Sequence, residues 1–191
     1  MKILKGAVDI SEKRLIRMPK NADDTWFFKD VKIDGDFYCT WNNLTSLEGC
    51  PEEITGVFSC WVNQIESLEY GPKIVGDRYS CANNLVKSLK GVPQRINGDF
   101  SCEANLLTTL EHGPTYVNGD YDCGSNNLVS FKGIPREIRG GLSLSYNKNL
   151  DSLEHFPEFI GENLYVSGCD NFKFTEAEIR KVCDLRGRLI K

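Results

Sequence analysis

The feature that most constrains the fold is a cysteine that returns every 21 residues. It occurs five times in succession, at Cys39, Cys60, Cys81, Cys102 and Cys123. Leu144 follows at the same interval, and Val166 follows one residue late. A fixed period of this length is typical of a solenoid, in which each repeat is one coil that stacks on the next.

Other columns keep the same period. Two residues before each cysteine lies an aromatic residue: Phe37, Phe58, Tyr79, Phe100 and Tyr121. Three residues after the cysteine, and after Leu144, lies an asparagine: Asn42, Asn63, Asn84, Asn105, Asn126 and Asn147. Apolar residues follow at plus five and plus eight, and a proline follows at plus twelve. With a one-residue insertion near Lys148, these columns predict a solenoid over residues 33–172.

The columns also predict the local structure of one coil. An aromatic residue and a cysteine two positions apart point to the same face of a strand, so both are expected in the core. The asparagine at the strand exit suits a ladder whose side-chain amides satisfy backbone groups of neighbouring turns. The recurring proline excludes a long helix, so the other side of each coil is expected to be extended or 3₁₀.

The repeat resembles the leucine-rich repeat, in the short 21-residue form of bacteria and bacteriophages. The order aromatic-x-Cys-x-x-Asn-x-Leu-x-x-Leu is similar to L-x-x-L-x-L-x-x-N-x-L, and residues 35–51 show this order. The resemblance implies an α/β repeat solenoid with a parallel β-sheet on the concave side and an extended or 3₁₀ convex side. Cysteine departs from the family pattern at the second inward position of the strand.

The two ends are expected to close the stack. Residues 1–32 form an N-terminal cap with a degenerate repeat, in which Leu15 and Pro19 keep the spacing of Leu47 and Pro51. The run Trp26-Phe27-Phe28 within this cap is interpreted as an aromatic lid over the first strand of the solenoid.

Residues 173–191 are expected to form a short C-terminal capping helix. Thr175 and Glu178 have the spacing of a capping box, in which each side chain satisfies a free backbone amide at the start of a helix. Ile179, Val182 and Cys183 would then face the core.

Charge and hydropathy exclude several classes of function. The net charge is −4, but residues 33–172 carry nine Lys/Arg against nineteen Asp/Glu, a balance of −10. An acidic body repels phosphate, so no nucleic acid is expected as a partner. No run of about 18 apolar residues exists, and the N-terminus lacks a signal-peptide pattern. We expect a cytoplasmic protein that does not bind a membrane, and we expect it in the host cytoplasm if a phage encodes it.

Chemistry is weakly represented in the sequence. The cysteines lack the short Cys-x₂-Cys pairs of structural zinc sites, so a core role is preferred over metal binding or disulfides, and no metal or other cofactor is expected. His112 and His155 fall in linking segments. Asp120 and Asp122 alternate on one strand face and could form an acid/base pair or a calcium site, although such acids are more often a solvated face.

The positions that alternate with the core columns face outward and are the predicted binding surface. The candidate partner-binding residues are Tyr38, Trp41, Trp61, Arg78, Asp99, Glu103, Asp120, Asp122, Tyr146 and Tyr165. Exposed tryptophans beside charges are typical of a protein-binding hot spot. In the alternative interpretation, Trp41 and Trp61 pack under the N-terminal lid with Trp26.

The sequence therefore predicts a non-enzymatic module that binds a protein partner and inhibits or masks it, and an acidic face favours a partner with a basic patch. The resemblance adds the expectation of a phage protein that acts on a host or defence protein. Two alternatives remain open: a receptor for a small molecule, peptide or sugar, and a hydrolytic enzyme that uses Asp120 and Asp122. The oligomeric state is left open.

Overall fold

The structure, a computed structural model, describes residues 2–15, 17–22 and 27–191 and is a parallel β-solenoid. Each turn carries two short strands. Within those residues, the first strands of successive turns are β1 (Lys2–Lys5), β3 (Val31–Asp34), β5 (Glu53–Ile54), β7 (Ile74–Val75), β9 (Arg95–Ile96), β11 (Tyr116–Val117), β13 (Glu137–Ile138), β15 (Phe159–Ile160) and β17 (Asp184–Leu185). The second strands are β2 (Val8–Asp9), β4 (Phe37–Tyr38), β6 (Phe58–Ser59), β8 (Tyr79–Ser80), β10 (Phe100–Ser101), β12 (Tyr121–Asp122), β14 (Leu142–Ser143), β16 (Leu164–Tyr165) and β18 (Leu189–Ile190).

These strands form three parallel sheets. The second strands of all turns make one nine-stranded sheet, in the order β2-β4-β6-β8-β10-β12-β14-β16-β18. The first strands make a four-stranded sheet, β1-β3-β5-β7, and a five-stranded sheet, β9-β11-β13-β15-β17. The register follows the sequence period, since Phe100 pairs with Tyr121, and it absorbs the predicted insertion where Leu142 pairs with Leu164.

The core lies between the nine-stranded sheet and the two smaller sheets. The aromatic and cysteine columns enter it from the nine-stranded sheet, and the column of Ile33, Ile54 and Val75 enters it from the other side. Neighbouring rings pack against each other: Phe37 and Phe58 are stacked with centroids 6.3 Å apart, and Phe100 and Tyr121 are tilted by 58° with centroids 5.0 Å apart. Each thiol of the column from Cys39 to Cys123 is fully buried. The sequence prediction of inward rings and thiols is confirmed.

The predicted asparagine ladder is also present. Asn84 Nδ2 donates to the carbonyl oxygens of Cys60 and Cys81 at 3.0 and 3.1 Å, and its Oδ1 accepts from the amide of Ile65 at 3.0 Å. The asparagines in the same column of neighbouring turns repeat these contacts. Each buried amide therefore joins its own turn to the preceding one and leaves no polar group of its own unpaired.

The α/β class expected from the resemblance is wrong, because the described residues contain almost no helix. The side opposite the nine-stranded sheet was expected to be extended or 3₁₀. It is extended, because it carries the first strand of each turn, and no 3₁₀ segment occurs within the described ranges. The aliphatic column of Ile54 marks these strands, but two residues are too few to show an alternating pattern.

The N-terminal repeat is a complete strand-bearing turn with a different alignment from the predicted one. Strands β1 and β2 pair with β3 and β4, 29 residues later. The amide of Leu15 donates to Asn42 Oδ1, as the amide of Leu44 donates to Asn63 Oδ1, so Leu15 matches Leu44 and not Leu47. An eight-residue longer first repeat explains the error.

Of the predicted aromatic lid, Trp26 lies outside the described residues. Phe28 is buried, and its ring meets Phe37 edge-on at 5.0 Å, whereas Phe27 is largely exposed. One ring of the predicted lid thus completes the core of the first turns.

The predicted C-terminal capping helix is wrong in extent. The capping box of Thr175 and Glu178 exists, but the helix α1 (Glu176–Ile179) is a single turn. The chain then returns to β17 and β18, which extend two of the sheets. Ile179 and Cys183 are buried as expected, while Val182 is exposed.

Candidate functional site

The outer face of the nine-stranded sheet, away from the core, holds a hollow of about 540 Å³. Register places Tyr38, Ser59, Ser80, Ser101 and Asp122 in one row across five neighbouring strands. The row spans four strand spacings, about 19 Å. Small serines in the middle with larger side chains at both ends give this face its depression, which we call the sheet hollow.

Two tryptophans form the N-terminal rim of the sheet hollow. The rings of Trp41 and Trp61 meet edge-on with centroids 5.2 Å apart and an interplanar angle of 82°. Trp41 is 50% exposed and Trp61 is 38% exposed. Edge-to-face packing fixes the pair without covering it. The interpretation that both rings are covered by an N-terminal lid does not agree with these exposures.

Tyr38 lies beside this rim and is held by a carboxylate. Its hydroxyl donates to Asp36 Oδ2 at 3.1 Å. Burial raises the pKa of Tyr38, and the hydrogen bond to Asp36 raises it further. The phenol is therefore a neutral, oriented group at neutral pH.

Arg78 and Asp99 form an ion pair across the sheet hollow. Arg78 Nε donates to Asp99 Oδ2 at 3.1 Å, and the second oxygen of Asp99 accepts from the backbone amide of Asp120 at 3.0 Å. Both oxygens of Asp99 are thus occupied within the protein. An exposed pair of this kind contributes little stability, but it places a guanidinium in the middle of an otherwise acidic surface.

The remaining acids form the C-terminal end of the hollow. Asp120 Oδ1 accepts from the amide of Gly141 at 2.7 Å, and Asp122 Oδ1 accepts from the amide of Gly124 at 3.0 Å. Burial raises the pKa of Glu103, and the negative charge of Asp122 adds to the shift. Glu103 and Asp122 therefore lie close enough to repel each other, and a cation that reached them would relieve this repulsion.

The aspartates of this face have a structural task that sequence reasoning missed. Asp36 Oδ1 accepts from the amide of Val57 in the following turn at 2.8 Å. Asp120 makes the same contact with Gly141 of its own following turn. A Cβ at Gly56 or Gly140 would clash with these carboxylates. The recurring Gly-Asp pairs in the sequence were the available signal. Such contacts favour a structural role for Asp120 over a catalytic one.

The structure brings seven of the ten predicted residues together around the sheet hollow: Tyr38, Trp61, Arg78, Asp99, Glu103, Asp120 and Asp122. Trp41 adjoins them through Trp61. Tyr146 and Tyr165 are exposed at turns nearer the C-terminus and do not line it. The serines and Ala82 line it as well, although the site prediction left them out.

In the part of the chain that the structure describes, no group of three or more His, Cys, Asp or Glu residues could hold a metal ion. His112 and His155 occupy turn positions with φ of 67° and 63°, where glycines stand in other repeats. No helix in residues 2–15, 17–22 and 27–191 is long and apolar enough to span a bilayer.

Comparison of the chain with protein-family models, with curated proteins and with solved structures finds no match.

Proposed function

We propose that this chain is a non-enzymatic interaction module that binds a protein partner through the sheet hollow. The observation that carries the proposal is the exposed edge-to-face pair of Trp41 and Trp61 at one end of the sheet hollow, with the carboxylates of Glu103 and Asp122 at the other end. Tryptophans in a well-packed setting, ringed by polar groups, dominate many protein interfaces.

The chemistry of the partner follows from the two ends of the hollow. The acidic end, within a repeat body of net charge −10 over residues 33–172, favours a basic patch. The tryptophan end favours an apolar group two to four strand spacings away, about 10–19 Å. Arg78, paired with Asp99, would disfavour a second cation between the two. The fitting partner therefore presents an apolar anchor and a basic cluster at this separation.

Binding of this kind inhibits or masks the partner by covering its basic patch. We extend the proposal to a phage protein that acts on a host or defence protein in the host cytoplasm, which rests on the leucine-rich-repeat resemblance alone. Eight buried, free cysteines are compatible with a reducing compartment.

The test is affinity purification from the native host with the wild-type chain and a Trp61→Ala, Asp122→Lys variant as baits. The partner should be enriched by the wild type and lost with the variant. A matched control is Ile74→Ala, Glu137→Lys, which removes an exposed apolar group and an acid from the smaller sheets on the opposite side. Equal recovery of one partner by all three baits would exclude the hollow as its binding site.

A receptor for a small molecule, peptide or sugar is the second candidate. The volume of the sheet hollow is within the range of about 300–1,000 Å³ found for ligand sites, and Trp61 offers a stacking surface. Binding of a saccharide or short peptide that Trp61→Ala abolishes, without any captured protein, would favour this function over the first.

A further inference from the structure

The C-terminal edge of the solenoid is covered by an ion pair from the short helix α1. Arg180 Nε donates to Glu176 Oε1 at 2.9 Å. The guanidinium also donates to the carbonyl oxygen of Leu185 and, at 2.7 Å, to that of Gly187. The second oxygen of Glu176 accepts from the backbone amide of Leu189 at 3.1 Å. One ion pair therefore satisfies backbone groups of both strands in the last turn.

The same backbone groups join neighbouring turns in the rest of the solenoid. Leu185 is in register with Ile160, whose carbonyl accepts from the amide of Arg186 in the following turn. The carbonyls of Ile33, Ile54, Ile96 and Ile138 accept from the following turn in the same way. Arg180 thus stands where the amides of a following turn would lie.

The carboxylate of Glu176 takes the place of a backbone acceptor, whereas Arg180 takes the place of backbone donors. Leu189 is in register with Leu164, whose amide donates to the carbonyl of Arg188 in the following turn. Glu176 offers the amide of Leu189 an oxygen in place of such a carbonyl. A guanidinium in place of amides and a carboxylate in place of a carbonyl reproduce the hydrogen bonds of one missing turn.

We propose that the Glu176–Arg180 pair prevents a second copy of this chain from adding to the C-terminal edge. An unpaired strand edge is a template for further strands, and the complementary surface is the N-terminal edge of a second copy. In the column register, Lys5 of that copy supplies the amide for Leu185, and Ala7 supplies the carbonyl for Leu189. The half-buried Leu4 and Val8 would meet the core at Leu189.

Head-to-tail addition of this kind does not close and would continue into a filament. The contact would repeat the interface that already joins every turn to the next, so no new surface chemistry is needed. The Glu176–Arg180 pair therefore prevents the repeated addition of copies at this edge.

The experiment compares the oligomeric mass of the wild type, Arg180→Ala and Arg186→Ala by sedimentation velocity and light scattering over a wide range of protein concentration. Arg186→Ala removes the same charge from the same turn, where Arg186 is paired with Asp184. The wild type and the control should stay monomeric. The mean mass of Arg180→Ala should rise to at least about twice the monomer value and grow with concentration.

A second pair of variants decides the remaining outcomes. Lys5→Pro removes the amide expected to meet Leu185, so Arg180→Ala combined with Lys5→Pro should return to the monomer. Arg180→Lys keeps the charge but not the forked geometry, and it takes the place of the alanine variant if that variant does not fold. A folded Arg180 variant that stays monomeric, a wild type that assembles equally, or assembly unaffected by Lys5→Pro would each overturn the proposal.

Discussion

One backbone position in each repeat has a conformation that most side chains disfavour. The residue two after the cysteine column has φ between 52° and 62° in six consecutive turns, at Trp41, Val62, Asn83, Ala104, Ser125 and Tyr146. The left-handed region is tolerated by asparagine and is costly for a β-branched residue. The repeat nevertheless places valine there, so the interactions between turns, and not the preference of each residue, determine this bend.

Replacing Val62 by asparagine is expected to stabilise the protein by about 1 kcal/mol, because it removes the clash of a branched Cβ at positive φ. Denaturant unfolding followed by circular dichroism measures the change. The converse substitution, Asn83→Val in the next turn, should cost a similar amount. The argument is contradicted if both substitutions change stability in the same direction.

At the scale of the strands, the aromatic column and the linking segments compensate for each other in size. Tyrosine occurs in the column where the residue eight positions earlier is glycine, as in Tyr79 with Gly71 and Tyr121 with Gly113. A Cβ on Gly71 would lie 3.4 Å from the Tyr79 hydroxyl and 3.2 Å from Leu47 Cδ1. Phe58, without a hydroxyl, follows Cys50 at the same spacing.

A double-mutant cycle should measure this compensation. Gly71→Cys alone is expected to destabilise the fold by about 1–3 kcal/mol through overpacking. In a Tyr79→Phe background the cost should fall by at least about 0.5 kcal/mol. Tyr79→Phe alone should be close to neutral, because no hydrogen bond to the buried hydroxyl is present within the described residues. Additive costs would show that the two positions do not contact each other.

The cysteine column makes a second prediction at this scale, for alkaline pH. Burial raises the pKa of Cys81 to about 12 from an ordinary value of 9.0, and it raises the pKa of the other four thiols of the column as well. The unfolded chain therefore loses these protons first. The stability that the thiols contribute is complete below about pH 9 and is lost as the pH rises towards 12.

The measurement is the free energy of unfolding between neutral and strongly alkaline pH. Cys81→Val, with an aliphatic residue as in the Leu144 turn, should keep the fold and make the alkaline loss of stability less steep. An unchanged slope in this variant would show that the thiols do not cause the loss.

For the whole molecule, the sequence was sufficient to predict what repeats. The period, the inward columns and the asparagine ladder are all properties of many turns at once, so errors at one position do not matter. The insertion near Lys148 is visible as a one-residue shift of those columns. The two ends depart from the 21-residue period, and there the predictions were only partly correct. The 29-residue first repeat misaligned Leu15, and the capping box at Thr175 predicted a short capping helix within residues 173–191, where the helix is a single turn and the chain then returns to strands.

The candidate site was predictable for the same reason, and only in part. Alternation along the strand identified Tyr38, Trp61 and Asp122 as outward residues. The depth of the sheet hollow comes from the small side chains between them, and the hydrogen bonds of Asp120 to the next turn depend on three-dimensional register.

A solenoid whose turns contact only their neighbours should tolerate the loss of one whole turn. Deletion of residues 117–137 joins Tyr116 to Ile138, which is the residue that pairs with Val117, so every column is preserved. The shortened chain should unfold cooperatively, with a smaller denaturant dependence because less surface is exposed. Deletion of residues 127–137 removes fewer residues but shifts the columns out of register, and it should not fold. If the shorter deletion is the more stable one, the fold is not held together by stacking of equivalent residues in successive turns.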